Sequence, residues 1–176
     1  MTNQSTLPQR PEAPLVNGVH KPAVATIENI ASLLAHDTKV KVAGVDCDGI
    51  LRGKVMSKEK FLSTAAKGFA MSSAIFGWDM HDEMYTTETK ISTKQEGYSD
   101  FIAIPDLSTY RRLPLEDNMP FFLVSFRANG MPVSACGRSI LRTLCQTLRD
   151  EGVEAKAGGK PSFFSPLIDT RSGCRY

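Results

Sequence analysis

Residues 39–56 hold two alternating runs around a turn, and no other stretch constrains the fold as much. KVKVAGV at 39–45 alternates polar and apolar positions, the period of a half-buried strand. DCDG at 46–49 is turn chemistry, because Asp side chains bond their own backbone and glycine accepts positive φ. Residues 50–56 return as the partner strand, completing a hairpin.

The remaining elements are read around this hairpin. Ile27, Ile30, Leu33 and Leu34 fall three and four apart, which predicts a helix capped by Thr26 and closed by His36 and Asp37. Ser57 caps a second helix to about residue 66, with Phe61, Leu62 and Ala65 on its apolar side and Gly68 beyond its end. Residues 69–78 suit a strand or packed loop. Residues 79–100 form a long polar excursion, of a length that compact domains use mainly for function. A short strand at 101–104 is expected to stop at Pro105-Asp106. Another strand spans 120–126 before the Asn129-Gly130 turn pair. A helix over 138–151 ends at Gly152. This order predicts a small α+β domain, a mixed sheet over 38–135 covered on one side.

Composition excludes several classes. The 176 residues are 41% hydrophobic and 23% charged, which supports a globular core. A formal charge of +2 without a basic stripe argues against nucleic acid, and no run of about 18 apolar residues suggests a membrane span. Residues 1–22 are polar and Pro-rich, expected as a flexible tail rather than a signal peptide. Cys47, Cys136, Cys145 and Cys174 lack close pairing, so reduced thiols and a cytoplasmic setting are expected.

Three segments together resemble the N-terminal domain of glutamine synthetases, most of all the bacterial-type branch and its fungal and γ-glutamylpolyamine-synthetase-like relatives. VDCDGILRGK at 45–54 looks like the family's D-x-x-G-x-x-R-G-K hairpin. DFIAIPDLST at 100–109, with RLP at 112–114, is similar to D-x-x-x-x-P-D-x-x-T. NGMP at 129–132, then CGR at 136–138 and a helix, resembles D-G-x-P…C-P-R-x-x-L. The resemblance implies a β-grasp at 38–135, preceded by the helix at 23–37 and followed by the start of a catalytic domain at 136–158. Gly137 stands where the family has proline. Residues 159–176 depart from the family, which continues there into an acidic E-x-E-F-F stretch of its metal site.

The implied reaction is ATP- and Mg-dependent joining of ammonia or an amine to the γ-carboxylate of glutamate. ATP and Mg are implied for the full-length family, with no cofactor site in this chain, which is therefore expected to be inactive alone. In this family the N-terminal domain closes the active site of a neighbouring subunit, so glutamine-synthetase-like subunits are the expected partners. There a loop carboxylate and serine bind ammonium and draw its proton away. FAMSS at 69–73 matches the family's F-D-G-S-S at Ser72 and Ser73, while Ala70 occupies the carboxylate position. Asp79 is the nearest replacement, as in relatives with S-x-x-F-x-x-D. A solvated loop carboxylate is the plain alternative.

Other constellations carry less. Asp79, His81, Asp82 and Glu83 hint at a metal, but a polar loop collects such residues. Turn chemistry accounts for Asp46 and Asp48, and Arg52 and Lys54 suit a wet strand face or a subunit contact. Gly158-Gly159-Lys160 lacks the spacing of a phosphate loop. Two functions remain: an N-terminal piece of a ligase, or a free-standing β-grasp module that docks on a full-length relative.

Overall fold

The structure, a computed structural model, describes residues 24–87 and 89–157 and the backbone of 15–16 and 19–20. The strands are β1 (Leu15–Val16), β2 (Val19–His20), β3 (Lys39–Val45), β4 (Leu51–Ser57), β5 (Phe69–Ser72), β6 (Asp100–Leu113), β7 (Met119–Ala128) and β8 (Met131–Pro132). The helices are α1 (Ile30–Leu33), α2 (Lys58–Thr64) and α3 (Gly137–Asp150), with one 3-10 turn at Ser73–Phe76. Two compact units are present, Met1–Arg142 and Thr143–Tyr176, and their boundary falls within α3.

The main sheet runs β4-β3-β7-β6-β5, with β8 attached to β7. β3 and β4 form the expected antiparallel hairpin, Lys39 opposite Ser57 through Val45 opposite Leu51. β3 and β7 pair in parallel, which requires the long crossover that α2, β5 and β6 supply. A mixed sheet with α2 packed on its hairpin is the α+β, β-grasp arrangement expected from the sequence.

β7 is the central strand, which explains its nearly unbroken apolar run: Pro120, Phe121, Phe122, Val124 and Phe126 are all buried. Phe61 of α2 stacks on Phe122 with ring centroids 4.7 Å apart, and Phe76 meets Phe126 edge-on at 5.2 Å. Val40 and Val42 of β3, Ile30 and Leu34 complete that core. Each fully buried side chain of this kind contributes about 1.5–3 kcal/mol. β4, at the sheet edge, buries none of its residues fully.

Two glycines of the hairpin segment are fixed by geometry. Gly49 has φ +84°, and a Cβ on Gly53 would lie 2.1 Å from the Val42 carbonyl oxygen.

Two expectations need correction. β6 does not stop at Pro105; it continues to Leu113 through an irregularity between Asp106 and Arg111. β5 pairs with β6 only as far as Ala103, so Pro105 lies beyond β5's reach, where a missing donor is tolerated. The helix expected from Thr26 is only α1, one turn long, and Thr26 is not its cap: Asn29 precedes it, accepting from Thr26 N at 2.8 Å. Ile27 is consequently exposed. The 79–100 excursion carries two isolated bridges, Trp78 with Met84 at its start and Thr89 with Ser92. Within the expected flexible tail, β1 and β2 form a two-residue antiparallel ladder. The rest of 1–22, and the whole 159–176 segment, lie outside the described residues.

Candidate functional site

The β3–β4 turn is built around Asp46, whose side chain is fully buried. Its Oδ1 accepts from Asp48 N at 2.9 Å and Ile50 N at 2.8 Å, the turn chemistry anticipated for it. Its Oδ2 accepts from Arg52 Nε at 2.7 Å, which the turn reading does not anticipate. Arg52 does not face water. Its Nη2 donates to Asp79 O at 2.7 Å, its Nη1 bonds Asp82 Oδ1, and its guanidinium lies 5.5 Å from the Trp78 ring centre. Tyr85 Oη donates to Asp48 Oδ2 at 3.1 Å. The turn thus receives both ends of the 78–85 loop. Burial, reinforced by Asp46 and Asp48, pushes the Cys47 thiol up.

Asp79 folds this loop on itself. Its Oδ1 accepts from His81 N at 2.7 Å and Glu83 N at 3.0 Å, and its own N–H donates to Glu83 O at 2.8 Å. The N–H groups of Glu83 and His81 hold its carboxyl below the ordinary aspartate value. Oδ2 stands 3.7 Å from His81 Nδ1. Ser72, exposed at the end of β5, accepts from Ala74 N and donates to Tyr98 O, both at 3.2 Å. Ser73 is only 1% exposed, beneath that turn. The Asp79, His81, Asp82 and Glu83 group does not close around a cation position: among the described residues no three His, Cys, Asp or Glu side chains gather as a metal site.

Behind the same loop lies a cavity of about 400 Å³ lined by Gly77, Met84, Tyr85, Ser92 and Tyr98 among others. Ser92 Oγ is buried beside it without a hydrogen-bond partner.

A second node joins distant segments. Asp106 Oδ2 accepts from Arg138 Nη2 at 2.6 Å and Arg142 Nη2 at 2.7 Å, while Oδ1 takes the Ser108 hydroxyl at 2.6 Å. Burial works to raise the Asp106 carboxyl, but Ser108, Arg138 and Arg142 together outweigh it and hold it low. Arg112 grips Asp37 with two bonds, 2.6 and 2.8 Å, fixing the chain after α1 to β6. Its proton is held more tightly than usual, chiefly by Asp37.

Comparison with known proteins places this geometry. Type-1 glutamine synthetase 2 of Dictyostelium discoideum is 42% identical over 120 residues, 68% of this chain and 23% of that protein. Glutamate–isopropylamine ligase of a Pseudomonas species is 31% identical over 127 residues, 71% of this chain and 28% of that protein. The chain is homologous to the glutamine synthetase family. It spans about a quarter of the length of these relatives and corresponds to an N-terminal-like portion. No family model matches it. The fold agrees: a GmaS/ADP complex superposes with a TM-score of 0.54 at 17% identity, over 69% of this chain and 26% of that one. Plasmodium falciparum glutamine synthetase superposes at 0.52 and 17% identity, over 73% and 23%.

The three glutamine-synthetase-like segments of the sequence acquire physical roles here. The first supplies Asp46 and Arg52, the second Asp106, and the third Arg138, which reaches back to Asp106. Arg52 is the residue the sequence reading misjudged, and its spacing of six from Asp46 across a tight turn is the signal that marks it.

Among the described residues, no helix is long and apolar enough to cross a membrane, and Cys47, Cys136 and Cys145 are free thiols.

Proposed function

We propose that this chain forms the amine-side element of a glutamine-synthetase-like ligase, lending the 78–85 loop to the active site of a neighbouring subunit in the cytoplasm. The observation that carries the reading is the state of Asp79. Two backbone N–H groups occupy one carboxylate oxygen and hold the carboxyl below its ordinary value, while the other oxygen stands 3.7 Å from the exposed His81 ring. A carboxylate held ionised attracts a protonated amine strongly but takes its proton poorly, so Asp79 captures and orients the amine. Ser72, exposed at the end of β5, is assigned as the second contact. Ser73 seats the turn from below. The relatives' names span both options: a glutamine synthetase in Dictyostelium, and ligases named for isopropylamine in Pseudomonas and for γ-glutamylanilide in Acinetobacter, so the amine class proposed includes ammonia and small organic amines.

Among the described residues no three His, Cys, Asp or Glu side chains gather as a metal site, and the Mg and ATP of the family reaction are assigned in this reading to the rest of the ligase.

Subunit mixing tests the reading. A full-length family enzyme carrying residues 24–157 with Asp79→Asn is mixed with subunits disabled in their catalytic domain. Recovery of amide synthesis in mixed oligomers supports a shared site; no recovery contradicts it. The exposed Ile140, Leu141, Leu144 and Leu148 of α3 favour one second reading, a module docking on a full-length relative. Co-elution of the isolated chain with such a relative checks it.

A further inference from the structure

The alternation of β4 assigns Arg52 to a wet face, yet its side chain is only 11% exposed. We propose that Arg52 is a positioning residue: its planar fork locks the 78–85 loop against the β3–β4 turn and thereby sets where the Asp79 carboxylate stands. The functional weight of that position rests on the amine-site reading above; the positioning itself does not.

The anchor cannot follow the loop. Asp46 is fully buried, and its other oxygen already accepts two turn N–H groups, so the Arg52 Nε bond of 2.7 Å is held from a fixed point. From there the guanidinium reaches three separate features of the loop: the Asp79 carbonyl, the Asp82 carboxylate and the Trp78 face. Those three directions match the rigid fork of arginine, and the point charge of lysine cannot serve them together. The loop's own bonds are local: Asp79 to Glu83, Tyr85 N to Gly77 O at 2.8 Å, and the carboxylate to two nearby N–H groups. They fold the loop on itself; Trp78 at its start also packs against the core, but none of these contacts ties residues 79–83 to the β3–β4 turn. Besides Arg52, Tyr85 makes the tie to the turn, through Asp48. Of the charged groups in this region, Asp46 on the turn and Asp82 on the loop bond the Arg52 side chain directly, Asp79 meets it through its carbonyl, and Asp48 is engaged by the titratable Tyr85.

The test uses the 176-residue chain and the variant Arg52→Lys, which keeps a positive charge beside Asp46 and so spares the hairpin. Amide hydrogen exchange is followed by NMR at His81, Glu83 and Tyr85, with Val42 and Phe122 as sheet references. The carboxyl of Asp79 is titrated by its side-chain carbon shift. The loop amides are expected to exchange at least about tenfold faster in the variant, with the sheet amides within about twofold, because the loop loses its Arg52 tie while the sheet keeps its ladder. The Asp79 midpoint is expected to move up toward the ordinary aspartate value as its backbone donors loosen. Asp82→Asn, which removes one partner from the other side, should accelerate the same amides by a smaller factor. Unchanged loop exchange and an unchanged Asp79 midpoint in Arg52→Lys would overturn the proposal. So would equal acceleration of loop and sheet amides, which would mean that Arg52 supports the whole fold. No amine is present, so failure of the amine-site reading leaves this outcome untouched, and failure here leaves the kinetic test of Asp79 standing.

Discussion

The Asp106 carboxylate accepts from Arg138 Nη2 at 2.6 Å, joining the irregular middle of β6 to the first turn of α3 across 32 residues of chain. Asp106→Ala strands the Arg138 guanidinium, whose Nε is already buried without a partner. A loss of about 2 kcal/mol is expected, the scale for bonds to a charged group, measured by urea denaturation. The pH dependence has a defined sign. The folded carboxyl is held below its unfolded value of about 3.9, so its stabilisation is complete above that pH and lost as pH falls through the folded value. Asp106→Asn should flatten the acid limb of the stability profile; an unaltered limb would remove the carboxylate from the account.

Gly137 opens α3, and a Cβ there would meet nothing within 4 Å. It occupies the first helical position, where the fixed φ of proline suits the helix and the missing N–H costs little. Gly137→Pro is expected to stabilise the chain by roughly 0.4–1 kcal/mol, chiefly by restricting the unfolded state. A thermal melt checks it, and a lowered midpoint would show that Cys136 cannot take the extended conformation a following proline demands.

The central strand and the edge strand should respond oppositely to substitution. Phe122 is fully buried between Phe61 and Tyr110, so Phe122→Ala should cost about 3–5 kcal/mol. Val55, on the edge strand and 47% exposed, should tolerate threonine within about 0.5 kcal/mol. Similar losses at the two positions would contradict the strand order.

What was legible in the sequence was local. The β3–β4 hairpin, the Ser57 cap of α2, the Asn129-Gly130 turn and the span of α3 all depend on residues within a few positions of one another, and Ser57 Oγ does accept from Lys60 N. The continuation of β6 past Pro105 was hidden because it depends on where β5 ends, which no local pattern records. Arg52 was misread for the same reason. Alternation within β4 fixes which way a side chain leaves the strand, but not that a loop 27 residues on will fold back to cover it. Asp79 was singled out by resemblance to the S-x-x-F-x-x-D pattern of relatives, whereas its tie to His81 and Glu83 became visible only with the loop's backbone.

The most direct test of the account is steady-state kinetics of a full-length glutamine-synthetase-family enzyme carrying residues 24–157, as Asp79 and as Asp79→Asn. Asparagine keeps an acceptor for the His81 and Glu83 N–H groups and removes only the charge. The account predicts that KM for the amine rises at least about tenfold, the scale of a lost charge-assisted contact, while KM for glutamate and for ATP stays within about twofold. An unchanged amine KM, or an equal rise for all three substrates, would contradict it.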